Sequence, residues 1–301
     1  MNAPTLLSVT LALAVLGVGF GLVERYLGRR GGPPWFRREG TATDLAYWFF
    51  TPLVARTITR IGVLVAACVV IAISGSSISA VRAEVAAGRY PDLSIFGLGS
   101  ALRSWPIGWQ IAAGFLVADF VGYGWHRAFH RRSLWPFHAV HHSSTRLDWL
   151  SSVRVHPVND VVTRVGQSIP ILLLGFDPRV FLLFAPFTTL YALLLHADVG
   201  WTYGPFRHVL ASPAFHRWHH AADREAVNTN FAGLFPVFDV LFGTFRMPVG
   251  ERPKALGIAG NPVPARFLAS LAWPFHARGA HGRAAGTPSA APFGEDAATA
   301  R

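Results

Sequence analysis

The chain has one cysteine, one lysine and two methionines in 301 residues, and only 14% of its residues are charged. Cys68 is alone inside an apolar run, which excludes an intrachain disulfide, a thiolate zinc site and an iron–sulfur cluster held by this chain by itself. Any metal must therefore be bound through nitrogen or oxygen. With 51% hydrophobic residues and a mean hydropathy of +0.35, the composition is too apolar for an ordinary water-soluble domain of this size. It excludes disorder over most of the chain, fibres and most cytosolic enzymes. What is abundant is histidine, thirteen in all, eight of them in two short windows, together with a net charge of +11 carried almost entirely by arginine.

Three charge-poor runs are long enough to cross a hydrocarbon layer of about 30 Å as helices. They are Thr5 to Val23, Ile61 to Ile78, and Ile107 to Tyr123, the last broken only by Asp119. A cleaved signal peptide is the rival reading of the first. However, no Lys or Arg precedes that run and no small-residue cleavage site follows it. Two shorter apolar stretches, Val161 to Phe176 and Val180 to Leu195, flank the breaker Gly175-Phe176-Asp177-Pro178 and predict a helical hairpin that returns to the side it left.

With the amino terminus outside, the cytoplasmic segments hold 23 of the 27 basic residues, leaving Arg82, Arg89, Arg103 and Arg179 outside. That bias explains the high pI without nucleic acid. The expected fold is thus all-α: a polytopic integral membrane protein with three transmembrane helices plus a helical hairpin, and a cytoplasmic histidine-rich metal-binding cap. Residues 1–104 form the N-terminal transmembrane region, 105–250 the catalytic domain, and 251–301 an extension that turns to Ala, Gly, Pro and Ser and is expected to be disordered from about 275.

The third helix ends in WHRAFH, with His126 and His130 four residues apart. HAVHH follows with His138, His141 and His142, and HRWHH with His216, His219 and His220. Positions i, i+3 and i+4 share a helical face, so each motif aims two or three imidazoles in one direction. A lone histidine is usually an ordinary core or surface residue, but three repeats of the same spacing form a ligand set. One ion takes about three or four protein ligands, so eight clustered histidines imply two metals. Asp119 falls on the stripe of His126 and His130 and is expected to accept a hydrogen bond from a ligand imidazole. His208, His276 and His281 match no motif and are read as surface residues.

These motifs, HxxxH, HxxHH and HxxHH, resemble those of the membrane-bound fatty acid hydroxylase and sterol desaturase superfamily. The flanks are similar too: DFVGYGWHRAFH, LWPFHAVHHSS, RVHPVNDVV, LLLHADVGW, SPAFHRWHH and NTNFAGLFPVFDVLFGTF. The resemblance covers roughly Trp105 to Met247. It implies two iron ions in a non-haem di-iron centre near the cytoplasmic membrane face, with O2 as co-substrate and a lipid C–H bond as target. The product would be an alcohol or an alkene. His156 in RVHP and His196 in LHAD are possible further ligands, with Asp119, Asp198 and Asp239 around them. Two departures stand out: Phe238-Asp239-Val240 replaces the usual tryptophan-Asp-arginine, and Asp198 stands where many members carry asparagine.

The expected function is an O2-dependent lipid hydroxylase or desaturase in a bacterial inner membrane. A histidine-rich metal transporter and a metal-dependent lipid hydrolase remain as alternatives. Imidazole spacing does not by itself distinguish iron from zinc, copper or nickel. The chain has no Gly-rich dinucleotide fingerprint and no cysteine set. A separate ferredoxin-type or cytochrome partner with an NAD(P)H reductase is therefore expected to supply electrons, docking on arginines such as Arg127, Arg131, Arg132, Arg217 and Arg224. The run Phe231, Leu234, Phe235, Phe238, Leu241 and Phe242 is expected either to line the lipid path or to pack.

Overall fold

The computed structural model describes residues 4–28, 33–87, 93–94 and 99–280. Arg89, His281 and the end of the expected tail lie outside the described residues. Twelve α-helices occur among those described, and extended pairing is limited to two isolated bridges.

α1 (Leu6–Leu27) starts at a capping box, in which Thr5 and Ser8 exchange side-chain and backbone hydrogen bonds. α2 (Thr41–Phe50) continues through a π-helical turn at Thr51–Ala55 into α3 (Arg56–Ile73), giving one helical stretch from Thr41 to Ile73. Pro52 sits in the wide turn, where its missing N–H breaks the regular ladder without ending the helix. Sequence hydropathy begins this helix at Ile61, because Arg56 and Arg60 interrupt the apolar run. Long arginine side chains reach sideways to water and do not end a helix. The stretch closes at Gly75, whose φ of 72° is open to glycine at little cost. α4 (Ile78–Ala86) and α5 (Gly99–Ser104) are short.

α6 (Ile107–Phe129) ends within WHRAFH, with His130 as its C-terminal cap, and α7 (Trp135–His142) carries HAVHH. α8 (Pro157–Leu173) and α9 (Pro178–His196) form the expected hairpin. Gly175 turns it with φ 78°, and the Asp177 carboxylate accepts the N–H of Arg179 at 2.8 Å. Both ends lie at the histidines: Asn159, early in α8, bonds His138, and His196 closes α9. α10 (Pro213–His219), α11 (Val237–Leu241) and α12 (Phe267–Ala280) complete the chain. α12 runs through Pro274, past the point near residue 275 where composition alone begins a disordered tail.

α3, α6, α8 and α9 pack as a bundle whose core includes Ala118, Ile171, Phe176, Val180 and Phe184. Small residues let these helices approach. A Cβ on Gly166 would lie 2.0 Å from Trp125 Nε1, and one on Gly114 would lie 2.3 Å from Val180 Cγ1. The outward faces are apolar, with Leu11, Val15 and Val18 on α1, Ile61, Leu64 and Val69 on α3, and Leu183 and Leu190 on α9 all exposed. A soluble monomer does not expose apolar surface on this scale. Two helical stretches, Leu6–Leu27 and Thr41–Ile73, are long and apolar enough to cross a membrane. α6 is as long but carries Asp119, His126 and Arg127.

Candidate metal centre

Helix ends and turns bring the histidines together in two adjoining groups. His126 (α6), His130 at the C-terminal cap of that helix, His138 and His142 (α7) and His219 (α10) offer nitrogens within 4.8 Å of one another. His141 (α7), His196 (α9), His216 (α10) and His220 do the same. The groups touch where His142 and His220 stack at 4.3 Å between ring centroids. All eight motif histidines are placed, and His196 joins them. His156 stands apart. Its Nδ1 accepts the N–H of Val158 at 3.1 Å and its Nε2 donates to the carbonyl of Leu271 at 3.1 Å, so it caps the start of α8 with neither nitrogen turned to the centre. His208 and His276 are exposed.

The outer ring nitrogens determine the tautomers. The Nδ1–H groups of His126, His219, His141 and His196 donate to the carbonyls of Phe231 (2.7 Å), Thr229 (2.8 Å), Arg154 (3.1 Å) and Ala192 (2.8 Å). His138 donates to Asn159 Oδ1 at 2.7 Å and His130 to Asn228 Oδ1 at 3.3 Å. Each of these rings then turns an unprotonated Nε2 inward. Burial pushes the imidazoles of His138, His141, His142, His216, His219 and His220 well below the ordinary histidine range, so they are neutral.

Those facts test whether metal ions fit. His126 and His138 face each other through Nε2 atoms 3.0 Å apart, and His141 and His196 through Nε2 atoms 3.2 Å apart. With both Nδ1 protons committed outward, two lone pairs meet with no proton between them. Only a cation makes that contact favourable. A spacing of roughly 3 Å is also what two nitrogens about 2.1 Å from one ion and at right angles would have. The Nε2 atoms of His130 and His219 are buried with no hydrogen-bond partner among the described residues, as ligand atoms would be. The donor set fits two ions held by imidazole, and neither group contains a carboxylate.

The carboxylates act one step further out, which corrects the expected role of Asp119. Its Oδ2 accepts the N–H of Phe235 at 2.8 Å and reaches no imidazole. Asp239 accepts the N–H groups of Phe231 (2.7 Å) and Ala232 (2.9 Å) and the Thr244 hydroxyl (2.6 Å). Both hold the loop whose Phe231 carbonyl orients His126. Asp198 pairs with Arg217 at 3.1 Å.

No motif or spacing in the sequence marks a buried ionic cluster. Asp44 on α2 accepts Arg38 Nη2 at 2.5 Å and Arg154 Nε at 2.6 Å, and Arg38 also pairs with Asp148. Arg154 is the residue whose carbonyl orients His141. Asn159 and Asn228 are equally unmarked, because amides leave no charge or spacing signal. Arg217, read as a docking residue, is buried. Of the aromatic run, Phe231, Leu234 and Phe238 are buried while Leu241 and Phe242 are exposed. Phe231 lies 5.0 Å from the His130 ring.

Comparison with known proteins identifies relatives of the chain. The chain is 34% identical to an ornithine lipid hydroxylase of Rhizobium tropici over 247 residues, 81% of this chain and 69% of that protein. It is 31% identical to the alkylglycerol monooxygenase of Homo sapiens over 160 residues, 53% of this chain and 35% of that protein. For the alkylglycerol monooxygenase of Caenorhabditis elegans the figures are 27%, 158 residues, 52% and 31%. The chain thus spans about a third of the length of these two monooxygenases. No solved structure matches. Residues 111–244, which include every histidine of both groups, match the fatty acid hydroxylase family, and with the extended similarity to the Rhizobium enzyme this places the chain in that family.

Proposed function

We propose that the chain is an oxidoreductase that hydroxylates a membrane lipid at a di-iron centre. His126, His130, His138, His142 and His219 would hold one ion and His141, His196, His216 and His220 the other. The observation that carries this reading is the convergence of imidazole nitrogens at the ends of apolar helices, with the outer Nδ1 protons of six of the nine rings committed to carbonyls and amides. When bound, an iron pair supplies the activation of O2 needed to place an oxygen atom in a C–H bond. The ornithine lipid hydroxylase and the alkylglycerol monooxygenases are named for lipid substrates, which favours hydroxylation over desaturation.

The chain's own residues bind, orient and exclude water. Carbonyls and amides fix six of the nine rings, so most of the ligands are arranged before substrate arrives. Phe231 walls the five-histidine group with an apolar ring. From it, Tyr123 (6.0 Å), then Phe242 (5.4 Å from Tyr123) and Phe120 (6.2 Å from Phe242) make a continuous aromatic path to the exposed apolar face. These rings give a lipid's hydrocarbon an apolar surface to pack against while its polar end stays at the interface. The arginine bias supports a centre on the cytoplasmic side of the inner membrane. Electrons come from a separate ferredoxin-type or cytochrome partner, for which exposed Arg131, Arg132 and Arg224 offer a landing surface.

The test is metal content together with product. Protein purified from cells should carry about two irons per chain, in line with a few protein ligands per ion. Lipid mass spectrometry of cells with and without the protein should show an O2-dependent gain of one oxygen atom in a lipid. Zinc in place of iron, or an unchanged lipidome beside an altered soluble metabolite, defeats the assignment.

A further inference from the structure

α10 has two faces. Its inner face carries the histidines, and its outer face, through Arg217 and Trp218, forms the floor of a cavity of about 640 Å³. The walls come from the segment after α9, with Arg207, and from the loop after Met247, with Glu251 and Arg252. This volume is that of a small-molecule site. Three arginines face it against one glutamate. Arg217 is already paired with Asp198, whereas Arg207 and Arg252 have no ion-pair partner among the described residues. Guanidinium groups are charged at any accessible pH and match phosphate and carboxylate oxygens in pairs.

The surroundings say which anion. Val249 in the lining is 81% exposed, and Phe206 and Val209, which flank Arg207 in the chain, are 65% and 57% exposed. The cavity also sits at the end of an apolar helix, because Val199 in its lining pairs by a backbone bridge with Gly28, immediately after α1. Cationic groups within an exposed apolar rim, at the level where a membrane-crossing helix stops, are the composition of a bilayer interface. We infer that this cavity binds the anionic headgroup of a membrane lipid, with Arg207 and Arg252 holding its phosphate or carboxylate and the rim seated among acyl chains. The inference rests on the reading of the chain as a membrane protein and not on the reaction it catalyses.

The full-length protein, reconstituted in nanodiscs of mixed phosphatidylcholine and phosphatidylglycerol and released into native mass spectrometry, tests it. The wild type should retain phosphatidylglycerol in preference to phosphatidylcholine. Arg207→Gln with Arg252→Gln should lower that retention about tenfold, the effect of losing one or two charge-assisted contacts. Arg131→Gln with Arg132→Gln should leave it unchanged. Glu251→Gln, which removes the acidic wall residue, should raise retention, so a double variant that fails to fold does not close the question.

Equal retention of both lipids, or full retention by the double arginine variant, overturns the inference. So does displacement of the lipid by inorganic phosphate with no preference for a lipid, which would make this a site for a free anion. If the arginine variants slow only electron delivery from an acidic redox protein and leave lipid retention intact, the cavity belongs to that partner and the inference falls. Retention is read without turnover, so each of these results leaves the hydroxylase reading where it stands.

Discussion

The five-histidine and four-histidine groups share a boundary, yet different parts of the chain orient their rings. The five-histidine group is steered mainly from the C-terminal side: the carbonyls of Thr229 and Phe231 and the amide of Asn228 orient His219, His126 and His130. That loop is in turn tied to Asp119 and Asp239. The four-histidine group takes its bearings from the Arg154 carbonyl and from α9, and Arg154 is clamped by Asp44 of α2. His216 and His220 have buried Nδ1 atoms with no hydrogen-bond partner among the described residues. The five-histidine group is thus braced by its own loop. The four-histidine group depends on the N-terminal region for its orientation.

The largest expected effect comes from emptying one group at a time. His142→Ala and His196→Ala should each abolish turnover and lower bound iron while the protein stays in the membrane, since the apolar helices are untouched. Metal analysis with activity checks this, and a variant that keeps both full iron and full turnover removes that histidine from the centre. If the groups are separate, each variant should retain part of the iron.

The next test separates the braces. Asp44→Asn leaves Arg38 and Arg154 sharing a reduced buried counter-charge, and breaking a buried pair costs about 3–5 kcal/mol. Asp239→Asn weakens three hydrogen bonds to one loop, at about 1–3 kcal/mol for the groups left unsatisfied. Thermal melting should rank Asp44→Asn below Asp239→Asn. Iron loss from Asp44→Asn should match that of His196→Ala, and iron loss from Asp239→Asn that of His142→Ala. The same pattern of loss from both would mean that the two groups are a single unit.

Much of the centre is legible in the sequence because ligand spacing within a helix is local: three and four residues apart is one face wherever the helix lies. The hairpin is legible for the same reason, since Gly175 and Pro178 act within one turn. Orientation is not local. Asp119 shares a stripe with His126 in the sequence, but its carboxylate meets Phe235, a contact set by the fold of the intervening chain. Asp44 and Arg154 look like surface charge that sets topology, although they are buried partners. Hydropathy likewise starts the second helix at Ile61 because it counts Arg56 and Arg60 against a helix that begins at Thr41.

Acid should weaken both groups of the metal-free protein. For the six imidazoles on or beside α7 and α10 that burial holds well below the ordinary range, the folded state binds a proton less readily than the unfolded chain. Their neutrality therefore contributes stability that is fully present above the unfolded value of about 6.5 and is lost as pH falls from there toward the folded values. The melting temperature of the iron-free protein should drop on acidification below about pH 6.5. His142→Ala, with one such ring removed, should drop less steeply. A melting temperature that is flat down to pH 5, about 1.5 units below that unfolded value, would mean the rings are already protonated or solvated.

The smallest expected effect is at His156, and it bears on where the four-histidine group ends. His156 and His196 are alike in sequence, each a single histidine in a short flanking motif, and they differ in what their nitrogens do. His196 turns Nε2 to His141 and His216 at 3.2 Å, whereas both His156 nitrogens are spent on the backbone of Val158 and Leu271. His156 caps α8 and ties it to α12. A lost cap costs about 1 kcal/mol. His156→Ala should therefore lower the melting temperature slightly and leave iron per chain unchanged, with His156→Asn, which can still cap a helix, recovering most of the stability. Loss of iron in His156→Ala that His156→Asn does not restore would place a tenth histidine in the centre and erase the distinction between His156 and His196.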